Sequence, residues 1–208
     1  MNTYQVAYDA LRARLAERVL GDVVERSGAR ALGPDRIGLR CLGREYVVTY
    51  PDGQVLEADG QPTPTTEAIL LLLYLTESTG RPLEGRWIAF EQISGGAGYL
   101  ASFRGRVVAP LLRAFGPQPQ ALLTAAAGLD GQPLDLGDAS VRLPALPCLP
   151  IACIVWGGDE EFPPSANVVF DASVEGYLDA EGITVLAELA TRRLAEAVNP
   201  SSGKGEAT

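Results

Sequence analysis

The sequence predicts an α+β fold, a three-stranded antiparallel meander joined to a mixed core of helices and strands. Between positions 37 and 57, three short runs (37–42, 45–50 and 54–57) partly alternate apolar and polar residues. Gly43-Arg44 and Pro51-Asp52-Gly53 separate them, the latter with standard turn chemistry. On either side of this stretch, apolar residues recur at steps of three and four, the mark of helices with one buried face. No internal repeat or linker divides the 208 residues, so residues 1–198 are expected as a single α+β domain and 199–208 as a flexible tail.

Each element has its own signal. Tyr4, Tyr8, Leu11, Leu15 and Val19 place one helix over residues 4–26, stopped by Ser27-Gly28. After the meander, Thr63-Pro64 reads as a capping hydroxyl followed by a proline at the first helical position. The run that follows, 67–77, is apolar nearly all round, so this helix is expected at the centre of the core. A strand over 87–93 runs into Ser94-Gly95-Gly96-Ala97-Gly98. A helix with Tyr99, Phe103, Val107 and Leu111 follows, and Pro110 must kink or interrupt it. A short Ala/Leu helix over 119–127 precedes a turn-rich segment, 129–138. Pro144, Pro147 and Pro150 make the first half of 141–156 an edge or extended approach, whereas 151–156 reads as a buried strand and 168–170 as another. Asp179 is expected to cap a final helix with Ile183, Leu186, Ala190, Leu194 and Val198 on its buried stripe.

Composition narrows the chemistry. Apolar residues at 47% and charged residues at 21% are ordinary for a globular chain and exclude a disordered one. There is no histidine, which removes Ser-His-Asp and Cys-His nucleophile systems, His-ligated zinc and a proximal-His haem. The one lysine, Lys204, lies in a Ser/Gly tail, so neither a Schiff base nor a phosphate-loop lysine is expected. Cys41, Cys148 and Cys153 form no C-x-x-C pair and read as free buried thiols. Carboxylates, arginines, hydroxyls and backbone amides remain.

The net charge of −9 is uneven: +2 over residues 1–50, −4 over 51–149 and −7 over 150–208. Such a balance repels phosphate backbones, so no nucleic-acid partner is expected. The apolar run at 69–75 is far short of the ~20 residues that span a bilayer, and no membrane partner is expected. No basic, then apolar, leader opens the chain, which points to the cytoplasm.

Two segments stand out as candidate sites. In Trp156-Gly157-Gly158-Asp159-Glu160-Glu161-Phe162-Pro163-Pro164, three consecutive carboxylates follow a buried strand. Adjacent like charges are costly unless solvated, protonated, metal-bound or paired with arginine. One reading is a hard-cation site completed by Asp138 or Asp171, or a general acid. The other is a solvated turn anchored to the core by Trp156 and Phe162. The spacing fits no EF-hand-like loop, so no metal ligands are assigned. In the second segment, Ser94, Gly95, Gly96 and Tyr99 form a glycine-rich turn from strand to helix. Backbone there can approach a ligand, or the glycines serve only tight packing. Arg104 and Arg106, one turn later, pair with the acidic turn or an anionic ligand, or are simply solvated.

These segments carry a family resemblance. W-I-A-F-E-Q-I-S-G-G-A-G-Y at 87–99, P-L-L-R-A-F-G at 110–116, W-G-G-D-E-E-F-P-P at 156–164, V-F-D at 169–171 and Y-L at 177–178 together resemble the prokaryotic family known as domain of unknown function 3786. G-D-E-E-F-P at 158–163 is the most specific string. Some members look fused to a small cysteine-rich iron–sulfur module of the kind seen in corrinoid proteins, which this chain lacks. The resemblance implies a link to anaerobic redox or tetrapyrrole-related biology and names no cofactor. A tetrapyrrole here would have Tyr or Cys as its axial ligand, or none.

The expected function is that of a non-catalytic ligand-binding or accessory protein. Its site would lie between the 94–99 loop and the 156–164 turn and use Ser94, Gly95, Gly96, Tyr99, Arg104, Trp156, Asp159, Glu160 and Glu161. A carboxylate enzyme, with Asp159, Glu160 or Glu161 as acid or base around a divalent cation, and a protein-interaction module are the alternatives. A small molecule or a protein is the expected partner.

Overall fold

The computed structural model describes residues 3–198. The first helix is two: α1, Thr3–Ala16, and α2, Leu20–Ser27. The helix breaks at Val19, whose backbone is extended at φ −77, ψ 127, and beside the break the Tyr50 hydroxyl donates to the Arg18 carbonyl at 2.6 Å. Val19, expected inside, is therefore 65% exposed, and Val23 joins Leu11 and Leu15 in the core. Gly28 ends α2 at φ +66, a left-handed stop that glycine adopts without strain.

The meander is present and has a fourth strand. β1 (Arg30–Ala31), β2 (Arg36–Cys41), β3 (Arg44–Thr49) and β4 (Val55–Glu57) pair antiparallel in chain order. The buried face of the central pair is set by period two: Ile37 opposes Val48 and Leu39 opposes Tyr46, all buried. Cys41 pairs with Arg44, so the turn is Leu42-Gly43, one residue earlier than Gly43-Arg44. Both residues have positive φ, +47 and +79, which matches the twist of a two-residue hairpin. A leucine in this conformation is strained by roughly 1–2 kcal/mol. Its burial and its N–H bond to the Ala145 carbonyl, 3.0 Å, offset that cost.

α3 (Thr65–Glu77) is buried on nearly every side, as its composition requires. Its N-cap is Pro64 rather than Thr63. The Pro64 carbonyl accepts the first helical bond from Ala68 at 2.9 Å, and the Thr63 hydroxyl, the expected cap, makes no hydrogen bond.

The second sheet holds β5 (Trp87–Ala89), β6 (Gln132–Leu134), β7 (Ala139–Leu146), β8 (Leu149–Trp156) and β9 (Ser165–Asp171), all antiparallel in the order β5-β9-β8-β7-β6. The strand expected over 87–93 stops at Ala89, where residues 90–92 wind into a tight turn with Gln92 Oε1 accepting from the Ala89 N–H. β7 lies inside the strand order, but β6 pairs with it only over Ser140–Arg142, so the stretch with Pro144 keeps edge character on that side. Its register shifts between Leu143 and Leu146, so Pro144 falls where the ladder is broken and its missing N–H costs little. β8 is buried on both faces from Leu149 to Val155.

One long rod follows β5: α4 (Gly96–Phe103), a π turn over Arg104–Val108, and α5 (Ala109–Phe115). The π turn is the interruption expected of Pro110. Ala109 N–H reaches back five residues to the Arg104 carbonyl, and the wider turn accommodates a proline that cannot donate. After α6 (Ala121–Ala126), α7 (Ala180–Val198) closes the chain described here. Asp179 caps it as expected, its side chain accepting from the Gly182 N–H at 2.8 Å. α7 packs against α3, α4, α5 and α6, and Ile183, Leu186, Ala190 and Leu194 are buried. The tail at 199–208 lies outside the described residues.

Sheet, rod and meander share a contiguous apolar core. A buried ion pair ties its parts together. The Arg193 guanidinium donates to Glu67 Oε2 at 2.8 Å, to the Tyr46 hydroxyl, and to the carbonyls of Cys41 and Leu42 at 2.8 and 3.2 Å. One residue of α7 thereby holds α3 and the β2–β3 turn, and burial raises both the Tyr46 hydroxyl and the Cys41 thiol to about 12.

Candidate functional site

The two segments singled out from the sequence lie at opposite ends of the rod. Ser94 sits where α4 begins, its N–H bonded to Glu175 Oε1 at 2.6 Å just beyond the end of β9. Pro164 packs against Gly116, where α5 ends. The twenty residues between Gly96 and Phe115 span ~30 Å at helical rise. The length of β9 and of the rod therefore lies between Ser94, Gly95, Gly96 and Tyr99 at one end and Trp156, Asp159, Glu160 and Glu161 at the other.

Each segment has a local explanation. A Cβ on buried Gly96 would collide with the Phe90 carbonyl, so glycine there serves close packing; Gly95 turns the chain at φ +77. Ser94 and Tyr99 are exposed, and Arg104 pairs with Glu91 at 3.3 Å. In the acidic turn, Asp159 Oδ1 accepts from the N–H groups of Glu161 and Phe162 at 2.8 and 2.7 Å. The bonds from Phe162 and Glu161 hold its carboxyl below the usual range. Asp138 does approach this turn, accepting from the Gly157 N–H at 2.6 Å, but Asp171 is at the far end of β9 and binds the N–H groups of Glu84, Gly85 and Ser173. Among the described residues no three Cys, Asp or Glu side chains are grouped to hold a metal ion. Trp156 and Phe162 do not anchor the turn to the core: they are 38% and 66% exposed. Phe103, by contrast, is core, stacked on Phe90 at 4.1 Å and edge-on to Phe170.

A groove of about 510 Å³ lies elsewhere, among α1, α3, α7 and the π turn. Its volume falls within the ~300–1,000 Å³ typical of small-molecule sites. Ile69, Leu70 and Leu73 of α3 and Val185 and Leu189 of α7 supply apolar lining, and Tyr4 and Ala7 of α1 form another wall. Arg106, carried into the groove by the π turn, bonds Glu188 through Nε and Nη2 at 2.9 and 2.5 Å and reaches Glu181 through Nη1 at 3.3 Å. Burial opposes its charge, but Glu188 and Glu181 outweigh that and raise its pKa. Farther along, Arg192 meets Glu67 at 2.6 Å. The result is an apolar trough with arginine–carboxylate pairs on its rim.

Of these lining residues only Arg106 is among those singled out beside the two segments, with the acidic turn, an anionic ligand or solvent as its expected surroundings. It reaches α7 instead. The one local signal for the groove is Glu67, a carboxylate in the first turn of a helix that is otherwise almost wholly apolar.

Fold and groove together define an α+β domain of two antiparallel sheets with a helix-walled trough. The chain belongs to the family described as Domain of unknown function (DUF3786), which matches residues 20–193. No curated protein and no solved structure matches it. No helix among the described residues is long and apolar enough to cross a membrane.

Proposed function

We propose that this protein is a non-catalytic binding protein that holds an amphipathic small molecule in the groove among α1, α3 and α7. The observation that carries this reading is the trough itself, with apolar lining from Ile69, Leu73, Val185 and Leu189 and a rim of Arg106–Glu188, Arg106–Glu181 and Arg192–Glu67 pairs. An apolar body would displace water from the lining. A neutral or cationic polar group would meet the rim, where carboxylates outnumber arginines. The placement of Arg106 on a π turn supports the same site, since such turns concentrate at functional positions.

The tetrapyrrole link implied by the family would leave Cys148, which is only partly buried, as the accessible thiol among the three cysteines. Cys41 and Cys153 are fully buried, and burial pushes both thiols up to about 12. A tetrapyrrole is kept as one ligand class to test. The enzyme reading is weaker, because Asp159 is held below the ordinary carboxylate range, opposite to what a general acid at neutral pH requires. Three free cysteines support a reducing, cytoplasmic setting.

The test is a thermal-shift screen of tetrapyrroles, nucleotides and amphiphiles against the protein and against Val185→Trp, which fills the groove. A ligand at about 100 times its Kd adds about 2.7 kcal/mol. That is roughly 5–10 °C in Tm for a chain of this size. A shift that Val185→Trp abolishes is the expected result. No shift with any class, or one that survives Val185→Trp, ends the reading.

A further inference from the structure

We propose that the tip formed by the β8–β9 turn and the neighbouring 135–138 turn is a docking surface for a basic segment of a partner protein. The starting observation is apolar. Leu136, Trp156 and Phe162 are 38%, 38% and 66% exposed, and Pro163 and Pro164 between β8 and β9 are exposed as well. These residues share one end of the molecule. A Cβ on Gly137, next to Leu136, would lie 3.1 Å from the Trp156 indole, and Gly157 lies beside Pro119 and bonds Asp138. Large side chains left in water cost stability unless something covers them.

The turn presents them in a fixed geometry. Asp159 Oδ1 holds the N–H groups of Glu161 and Phe162, the Asp159 N–H bonds the Phe162 carbonyl at 2.9 Å, and Asp138 holds Gly157. Gly158 lets the chain close on Pro164, since a Cβ there would stand 2.8 Å from the Pro164 ring. A partner therefore meets a surface already ordered, and little conformational entropy is lost at this side of the contact.

Charge selects the partner. Asp135, Asp138, Asp159, Glu160 and Glu161 surround the aromatics, and none forms an ion pair among the described residues. Arg113, in the last turn of α5, is exposed and pairs with none of them. Exposed rings within a ring of free carboxylates suit arginine and lysine, whose stems pack on the aromatic faces while their charges meet the acids. A nucleic acid or an anionic membrane is repelled by the same charges.

The test uses the full chain, a labelled arginine–leucine repeat peptide and its glutamate–leucine counterpart, followed by fluorescence anisotropy and amide NMR. Binding of the arginine peptide alone is expected, with amide shifts confined to 135–138 and 156–164. Glu160→Lys with Glu161→Lys should weaken it about ten-fold or more. Phe162→Ser should weaken it about five-fold. Failure to bind, binding that Phe162→Ser leaves untouched, or shifts on other acidic faces overturns the proposal. So does sedimentation showing a dimer that Phe162→Ser dissociates, since the tip would then cover a second copy of this chain.

Discussion

Groove and tip handle their carboxylates in opposite ways. In the groove, Glu67, Glu181 and Glu188 are each matched to an arginine, and Asp179 caps α7. At the tip, Asp138 and Asp159 hold backbone N–H groups, and among the described residues no acid there meets a cation. The difference follows from burial. Glu67, with its side chain 9% exposed, would incur a desolvation cost without its arginines, whereas the acids at the tip stay in water and keep their field available. Consecutive acids in a sequence thus say less about a pocket than a single acid placed inside an apolar helix.

The sharpest way to break the comparison is at the buried end. Arg193→Ala leaves Glu67 enclosed without its inner partner and should cost about 3–5 kcal/mol. Urea denaturation reads this directly, and a loss below about 1 kcal/mol would show that the pair is not what joins α7 to the meander. Leu72→Asp, a charge placed in a fully buried position with no partner, is expected to leave no cooperative transition at all. A soluble mutant with a native spectrum would contradict the central place given to α3.

Acid sensitivity comes next. Burial pushes the Asp171 carboxyl upward, but N–H groups of Glu84, Ser173 and Gly85 outweigh it and hold its pKa below the ordinary value. A depressed carboxylate contributes stability that is present above its unfolded pKa, about 3.9, and is lost as pH falls through the folded value. Asp171→Asn should therefore flatten the fall in stability below about pH 4 while lowering stability at neutral pH. An acid limb as steep as in the unmodified protein would assign the effect to other carboxylates. The smallest effect belongs to the tip: Phe162→Ser, or Glu160→Lys with Glu161→Lys, should change stability by no more than about 0.5 kcal/mol. A larger loss by calorimetry would mean that the tip is part of the core after all.

Much of the fold could be read from local pattern. Half-buried strands write their own period, as Ile37, Leu39 and Cys41 do, and a helix buried on all sides leaves the apolar run around Leu72. What could not be read depended on distant partners. Nothing near Val19 announces a break beside which Tyr50, from another element, bonds the Arg18 carbonyl. Pro144 marked the edge-like end of β7 but gave no sign of the short β6 that pairs with its start. The trough was illegible for the same reason. Tyr4, Leu73 and Val185 are ordinary half-buried or exposed helix residues until three separate helices bring them together. The acidic turn was conspicuous in the sequence but, being a surface feature, it drew attention from the place where the walls converge.

The grip of Arg193 on the Cys41 carbonyl joins positions 152 apart in the chain. A ribosome therefore releases the β2–β3 hairpin long before it makes the residue that locks it. Until that late segment arrives, Leu42 must keep its left-handed backbone without the guanidinium, and Glu67 and Tyr46 must remain near water. The nascent hairpin is thus a provisional structure, fully fastened only once a residue 152 positions downstream has been translated.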